Sequence, residues 1–212
     1  MRFAIKTAPQ HTTWRDMLAV WQAADDIEMF ESGWTFDHFY PIFSDSTGPC
    51  LEGWVTTTAL AQATKRLRIG LLTQEKTTLD GRFVHLADAR CEPKPVQQPH
   101  PPICIGGGGE RRTLRSVARF AQHWNFPGGD TDTFSKKRDV LHAHCAAVGR
   151  DPSEIITSTH LRLPDDGDVG ALVGRAEAYA SAGLDLGIVY LPPPHTPAVL
   201  EPIANALAPL AS

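Results

Sequence analysis

Three short stretches of the sequence contain residue types that can act on, or hold, a small organic molecule. The first covers residues 34–41 and places an acid beside an imidazole, Asp37 and His38. A histidine next to a carboxylate can serve as a general acid or base, or hydrogen-bond a cofactor ring. A structural histidine satisfied by loop carbonyl groups would look the same, so the residue types leave both interpretations open.

The second stretch is a run of four glycines between an apolar segment and a helical pattern: Gly106, Gly107, Gly108 and Gly109. Backbone N–H groups in such a turn can approach an anion closely, and the dipole of the following helix favours a phosphate there. Arg111 or Arg112 could add positive charge. The run matches neither the Walker A nor the GxGxxG pattern, and a plain tight turn is the alternative.

The third stretch follows soon after and contains Trp124 and Asn125 ahead of a second glycine pair. An aromatic ring and an amide at a strand end could line a pocket for a flat ligand. Trp124 could equally be a core residue. No metal site is predicted, because His142 and His144 lie two positions apart on a helical pattern and therefore point to different faces.

The apolar pattern around these stretches predicts alternating strands and helices, which is typical of a parallel sheet. Strands are predicted at residues 3–6, 34–37, 67–70, 103–105, 123–126, 155–163 and 186–191. Helices are predicted at about 14–24, 51–61, 110–121, 133–148, 169–181 and 197–210. A complete βα barrel needs about 250 residues, so seven strands in 212 residues predict a TIM-type (β/α)8 barrel that is incomplete.

One region breaks this alternation, at about residues 75–102. Residues 77–86 have a hairpin pattern with Asp80 and Gly81 at the turn. A proline-rich segment follows at residues 93–102, and its place between ordered elements favours a connecting loop over a polyproline ligand. We predict a single barrel domain over residues 1–212 that carries this insertion.

The composition narrows the classes of partner and the cellular location. A net charge of −4 and a pI near 6.1 predict no nucleic-acid partner and no anionic-membrane partner. Four scattered cysteines without metal-ligand spacing indicate reduced thiols. No apolar run approaches the roughly 20 residues of a membrane helix, so we expect a soluble cytoplasmic protein with a small-molecule substrate.

Several stretches resemble the luciferase-like monooxygenase family, and in particular its deazaflavin-dependent oxidoreductase branch. The similar stretches are residues 3–7, 34–41, 48–54, 61–70 and 101–126. The resemblance implies a βα barrel that binds coenzyme F-420 (an 8-hydroxy-5-deazaflavin) or, alternatively, FMN. Hydride would then pass between the ring of the cofactor and an organic substrate.

The resemblance also implies roles for the residues singled out above. His38 would be the acid or base near the ring, with Asp37 beside it. The four glycines and Arg111 would hold the phosphate and side chain of the cofactor, and Trp124 and Asn125 would line the pocket.

The chain departs from the family pattern directly after Gly70, where it runs into residues 71–75, which resemble the sequence just before the family's hairpin. We infer an internal deletion there of one to two βα units, of which two would amount to roughly 60 to 80 residues. It would remove the surface that backs the ring and leave strand edges that a homodimer could cover. A non-catalytic remnant that keeps a phosphate-binding rim or a dimer surface is therefore an alternative, and an unrelated sugar-phosphate barrel is another.

Overall fold

The chain alternates between strands and helices in a computed structural model that describes residues 1–38, 40–42, 45–70, 77–80, 85–89, 102–193 and 195–211. The strands are β1 (Arg2–Thr7), β2 (Phe30–Trp34), β3 (Arg68–Gly70), β4 (Thr77–Asp80), β5 (His85–Ala89), β6 (Cys104–Gly106), β7 (His123–Phe126), β8 (Ile156–Arg162) and β9 (Leu186–Leu191). The helices are α1 (Trp14–Asp26), α2 (Gly53–Ala63), α3 (Thr113–Phe120), α4 (Thr131–Ala147), α5 (Val169–Ser181) and α6 (Leu200–Leu207).

Seven of these strands form one parallel sheet, in the order β3-β2-β1-β9-β8-β7-β6. The first strand of the chain pairs with the last, from Arg2 opposite Leu186 to Thr7 opposite Leu191. First-to-last pairing is the step that closes a βα barrel. The predicted incomplete TIM-type barrel and its seven strands are therefore confirmed.

A contact across the inner face shows how strongly the sheet curls. Trp34 on β2 and His123 on β7 have ring centroids 5.5 Å apart in an edge-on arrangement. Four strand-to-strand steps separate β2 from β7 in the sheet. A flat sheet would hold the two strands about 19 Å apart, so the ring contact requires a barrel-like curvature that brings them across a shared interior.

The barrel is incomplete between β3 and β6, which are the two ends of the described sheet. Between them in the chain lie β4 and β5, which pair only with each other and run antiparallel, Asp80 opposite His85. The two strands lie within the range over which the hairpin was predicted, residues 77–86 and just beyond. Gly81 of the predicted turn, Cys91 and the proline-rich residues 93–101 lie outside the described residues.

The second strand was predicted about four residues too late, at residues 34–37, which left Gly33 outside it. The strand runs through Gly33 instead and pairs it with Ile5 of β1. A Cβ at Gly33 would lie 2.5 Å from the ring of Trp21, so the glycine lets α1 pack directly on the strand. Trp21 is fully buried there, and its indole N–H donates to Thr7 Oγ1 at 2.8 Å.

Smaller differences concern helix ends. α3 begins at Thr113 rather than at residue 110, and the last predicted helix is α6 flanked by 3-10 turns at Pro197–Val199 and Ala208–Leu210. α5, β7 and β9 have the predicted bounds. No helix among the described residues is long and apolar enough to span a membrane.

The main core lies between the outer face of the sheet and the helices. It contains aromatic and branched side chains that are essentially fully buried: Phe3, Ile5, Met17, Trp21, Phe30, Leu114, Val117, Trp124, Phe126, Phe134, Leu161, Leu172, Val189, Leu200 and Ile203. A second, smaller cluster lies on the inner face and consists of Ala4, Leu186 and Ile188. The inner face is therefore apolar at its base and, as described below, polar towards its mouth.

Arg66 fixes the approach of the chain to β3. Its guanidinium donates to the backbone carbonyls of Ala24 at 3.1 Å, Ile27 at 2.7 Å and Phe30 at 2.8 Å. The carboxylate of Asp25 in turn accepts the backbone N–H of Arg66 at 2.8 Å. The end of α1, the start of β2 and the start of β3 are thus joined by one charge-assisted network.

Candidate functional site

A cavity of about 360 Å³ opens at the C-terminal ends of the parallel strands. Its lining residues come from five strands, the segment after β2, and α2: Lys6, Trp34, Thr35, Phe36, Asp37, Trp54, Cys104, Gly106, Asn125 and His160. βα barrels build their active sites at this end, and the volume suits a small-molecule site. This cavity is therefore the candidate active site.

Strand alternation explains which side chains reach the cavity. On β8, Thr157, Thr159 and Leu161 face the helices, while Ser158 and His160 face the interior, because successive side chains point to opposite faces. On β7 the same rule turns His123 and Asn125 inward. Ser158 joins these two strands: its Oγ lies 2.6 Å from His123 Nε2 and accepts from Asn125 Nδ2 at 2.9 Å.

Lys6 is the cation of the cavity. It stands near the end of β1, and its Nζ lies 3.4 Å from His160 Nε2. The ring centroids of Phe36 and Tyr190 are 5.0 Å and 5.1 Å from the same nitrogen. Burial lowers the pKa of Lys6 to about 8, which brings its titration close to neutral pH.

The two inward histidines are neutral at pH 7. Burial, and to a smaller extent the charge of Lys6, lowers the pKa of His160 to about 3. Burial and then Arg2 lower the pKa of His123 to about 4. A neutral His160 can accept a hydrogen bond from the ammonium of Lys6 through Nε2, and the pair carries one positive charge, on Lys6.

The glycine turn follows β6 at the rim of this cavity, and Gly106 is part of the lining. Gly107 has a φ of 124° and donates its N–H to the carbonyl of Asn125 at 3.1 Å. In the described part of the chain, the N–H groups of Gly108 and Gly109 donate to no protein acceptor. α3 begins just beyond without a capping side chain. These donors, together with the exposed Arg111, fit an anion.

Asp37 and His38 lie on the opposite side of the rim, after β2. Asp37 lines the cavity, and its Oδ1 accepts the N–H of Gly53 at the start of α2 at 3.2 Å. His38 packs its ring edge-on against Phe36, with centroids 4.9 Å apart, and is not part of the cavity lining. The structure thus brings Asp37 to the cavity and places His38 one aromatic ring away from it.

Of the predicted pocket pair, Asn125 lines the cavity and Trp124 does not. Trp124 is fully buried on the outer face and stacks against Phe134 at 5.9 Å. The pocket prediction for Trp124 is corrected because alternation in a four-residue strand must turn Trp124 and Asn125 to opposite faces. Its indole N–H nevertheless donates to the carbonyl of Gly107 at 2.8 Å and thereby supports the glycine turn from behind.

Sequence reasoning missed Lys6, His123, Ser158 and His160. Lys6 and His160 are 154 positions apart, and no local spacing connects them. The available signal was their place on strands: polar residues at alternate positions near the C-terminal ends of predicted barrel strands face the mouth.

Comparison with known proteins agrees with this fold. Residues 70–166 match the family model described as Luciferase-like monooxygenase. The resemblance stated from the sequence is therefore confirmed, and this segment is similar to the luciferase-like monooxygenase family. The match begins at Gly70, the residue at which the sequence pattern departs from the family.

Two curated relatives align with part of the chain. An uncharacterized protein of Mycobacterium tuberculosis is 35% identical over 96 residues, which are 45% of this chain and 33% of that protein. The FMNH(2)-dependent dimethylsulfone monooxygenase of Pseudomonas putida is 33% identical over 81 residues, 38% of this chain and 22% of that protein. The matched segments thus span a third or less of these relatives.

Among solved structures, an F-420-dependent secondary alcohol dehydrogenase in complex with an F-420–acetone adduct is similar with a TM-score of 0.77. The superposition covers 97% of this chain and 98% of that one, at 13% sequence identity. At this identity the likeness shows the fold alone.

Proposed function

We propose that this protein is an oxidoreductase that transfers a hydride between a flavin-type cofactor, coenzyme F-420 or FMN, and a small organic substrate. The observation that carries the proposal is the joint presence, at one rim, of a ligand-sized cavity and a glycine turn with unpaired N–H donors. The family match over residues 70–166 supports the same class of activity.

The glycine turn would hold the phosphate of the cofactor. The N–H groups of Gly108 and Gly109 supply donors, and the start of α3 adds the positive end of its dipole. A Cβ at Gly109 would lie 2.9 Å from Thr113 Oγ1, so this position needs a glycine for the turn to close on the helix. Arg111 is exposed beside these donors and adds charge.

The ring of the cofactor would lie at the mouth of the cavity beside Gly106 and Asn125, which leaves the walls formed by Trp34 and Phe36 to the substrate. When bound, the cofactor supplies the hydride chemistry, and the protein orients it and excludes water. F-420 and FMN both carry a phosphate that this turn would accept. Both cofactors also occur among the similar proteins: one relative is named for FMNH(2), and one structural neighbour is named for F-420.

His38 is the proposed acid or base for the substrate, and Asp37 holds the loop that carries it. The bond from Gly53 N–H to Asp37 Oδ1 ties this loop to the start of α2. The Sγ of Cys50 donates to the carbonyl of His38 at 3.1 Å and fixes the backbone at that position. A held backbone with the imidazole at the rim is what proton transfer to a bound substrate requires.

The gap between β3 and β6, the two end strands of the described sheet, bears on whether the chain is catalytically active. A closed barrel would place another strand there, and we propose that the chain has lost the corresponding segment after Gly70. A homodimer that covers the two strand edges is one arrangement compatible with activity. If the lost segment was essential for cofactor binding, a non-catalytic remnant would be left.

The test is a fluorescence titration of the purified, folded chain with F-420 and, separately, with FMN. A Cβ at Gly108 would make only ordinary contacts, 3.8 Å from Pro127, so Gly108→Asp should fold. We expect saturable micromolar binding of one cofactor and a loss of at least about tenfold in Gly108→Asp, because the new carboxylate repels the phosphate. Gly108→Asn has the same shape without the charge and should keep most of the affinity.

Two further results complete the test. His38→Ala should leave cofactor affinity unchanged and lower turnover of an identified substrate by about 10²–10⁴. Failure of the folded chain to bind either cofactor would reject the proposed function and favour the remnant.

A further inference from the structure

Lys6 is a partly buried cation without a counter-ion among the described residues. It is mostly withdrawn from solvent, and no described carboxylate forms an ion pair with it. Keeping an ammonium in such a place costs free energy unless a partner compensates it. Its neighbours are an imidazole nitrogen and two aromatic faces, which accept only part of the charge.

The titratable groups around Lys6 do not compensate its positive charge. His160 on β8 is neutral, because burial and the nearby ammonium keep its pKa near 3. Tyr190 on β9 is also neutral, since burial raises its pKa. The guanidinium carbon of Arg162 lies 5.6 Å from the Tyr190 ring centroid. Asp37 lines the cavity but is exposed, and its carboxylate accepts from Gly53. Cys104 on β6 is a neutral thiol, because burial raises its pKa to about 12.

We propose that the cavity binds a small organic anion, with its carboxylate on the ammonium of Lys6 and its apolar or aromatic body against Trp34 and Phe36. His160 is a positioning residue: its Nε2 accepts from Lys6 and holds the ammonium within the cavity. The anion supplies the counter-charge that the described residues lack. That this anion is the substrate rests on the proposed function, whereas its binding does not.

The size and lining of the cavity define the ligand further. About 360 Å³ accommodates a molecule of one or two rings. Trp34, Phe36 and Trp54 offer flat apolar surface, so a carboxylate without an apolar body would gain only the charge interaction. The site therefore favours an aromatic or alicyclic acid over acetate, and over the uncharged amide of the same shape.

The pKa of Lys6 gives the site a pH dependence with a defined sign. Below pH 8 the side chain is charged and attracts the carboxylate, and above pH 8 it loses its proton and the attraction. At pH 9.5 only about 3% of the free protein would carry the charge, so the dissociation constant for the acid should rise about thirtyfold from pH 6.5. The affinity of a neutral ligand should not change over this range.

The experiment is calorimetric titration of the full chain with benzoate, benzamide and acetate at pH 6.5 and at pH 9.5. We expect benzoate to bind at least ten times more tightly than benzamide or acetate at pH 6.5, and to lose this preference at pH 9.5. Lys6→Met should abolish the preference, and Lys6→Arg should keep most of it. Lys136→Met removes a lysine exposed on α4 and serves as the control, with unchanged binding.

Three results would overturn the inference: equal affinity for benzoate and benzamide, an unchanged preference in Lys6→Met, or no binding of benzoate to the folded protein. The cofactor titrations on the same preparations separate the two proposals. Benzoate binding through Lys6 without cofactor binding would leave the anion site standing and reject the oxidoreductase. Cofactor binding without a preference for benzoate over benzamide would reject the anion site and leave the proposed oxidoreductase standing.

Discussion

The two faces of the parallel sheet differ in what they bury. The outer face meets the helices with aromatic and branched side chains, and its polar atoms have partners close by, as Trp21 has in Thr7 and Trp124 in Gly107. The inner face is apolar only at its base, around Ala4 and Ile188. Towards the mouth it holds an ammonium, imidazoles and an amide.

This difference separates the source of stability from the source of chemistry. Burial of apolar area stabilises the fold on the outer face. On the inner face, polar groups are held out of water at a cost in stability, and such groups with shifted pKa values are typical of sites that bind or react. Substitutions on the outer face should therefore mainly change the free energy of unfolding, and those at the mouth should mainly change binding.

The largest expected contrast is between two tryptophans, one on each face. Trp124→Ala removes a fully buried ring that stacks on Phe134 and should lower the free energy of unfolding by about 3–5 kcal/mol. Trp34→Ala removes a half-buried ring from a cavity wall and should cost less than half as much. Urea unfolding of both variants at pH 7.5 measures the difference, and equal losses would contradict the assignment of the two faces.

The second contrast concerns the pH dependence of the free energy of unfolding. It arises because His123 is buried in its uncharged form on the inner face. Its pKa is about 4 when folded, lowered by burial and then by Arg2, and about 6.5 when unfolded. Since the unfolded state binds the proton more readily, stability is full above pH 6.5 and is lost as the pH falls towards 4. At pH 5 the loss attributable to this residue is about 2 kcal/mol.

His123→Asn removes this titration and keeps a polar side chain next to Ser158. The variant should therefore lose less stability than the parent chain between pH 7.5 and pH 5. Urea unfolding at the two pH values gives the comparison. His142 is exposed on α4, and His142→Asn should leave the pH dependence as it is in the parent chain. A His123→Asn variant with the parental slope would show that this imidazole is not buried neutral.

The sequence was sufficient for the architecture because each strand and helix has a local signature. β7, α5 and β9 have the predicted bounds, and the barrel follows from counting seven parallel strands. The second strand was placed too late, with Gly33 left outside it. Whether a glycine ends a strand or admits a neighbouring ring depends on tertiary packing, which for Gly33 means the position of Trp21.

The candidate site was harder to predict than the fold. The glycine turn and Asp37 could be found, since both follow strands directly. Lys6 and His160 could not be associated, because only the curvature of the sheet and the pairing of β1 and β8 with β9 bring them together. Trp124 could have been assigned correctly, since it shares its face with Phe126 and opposes His123 and Asn125. Two aromatic side chains on one face of a short strand favour the core.

The smallest expected effects come from one substitution made at two glycines. Gly33→Ala would place a methyl group 2.5 Å from the rigid ring of Trp21, and neither the strand nor α1 can move without disturbing the packed outer face. We expect a loss of about 1–3 kcal/mol in the free energy of unfolding. At Gly106, beside the cavity, the nearest atom to an added Cβ is the Asn125 carbonyl oxygen at 3.9 Å, so Gly106→Ala should unfold as the parent chain does. If both variants lost the same stability, the mouth would be as tightly packed as the outer face, and the separation of stability from chemistry would not hold.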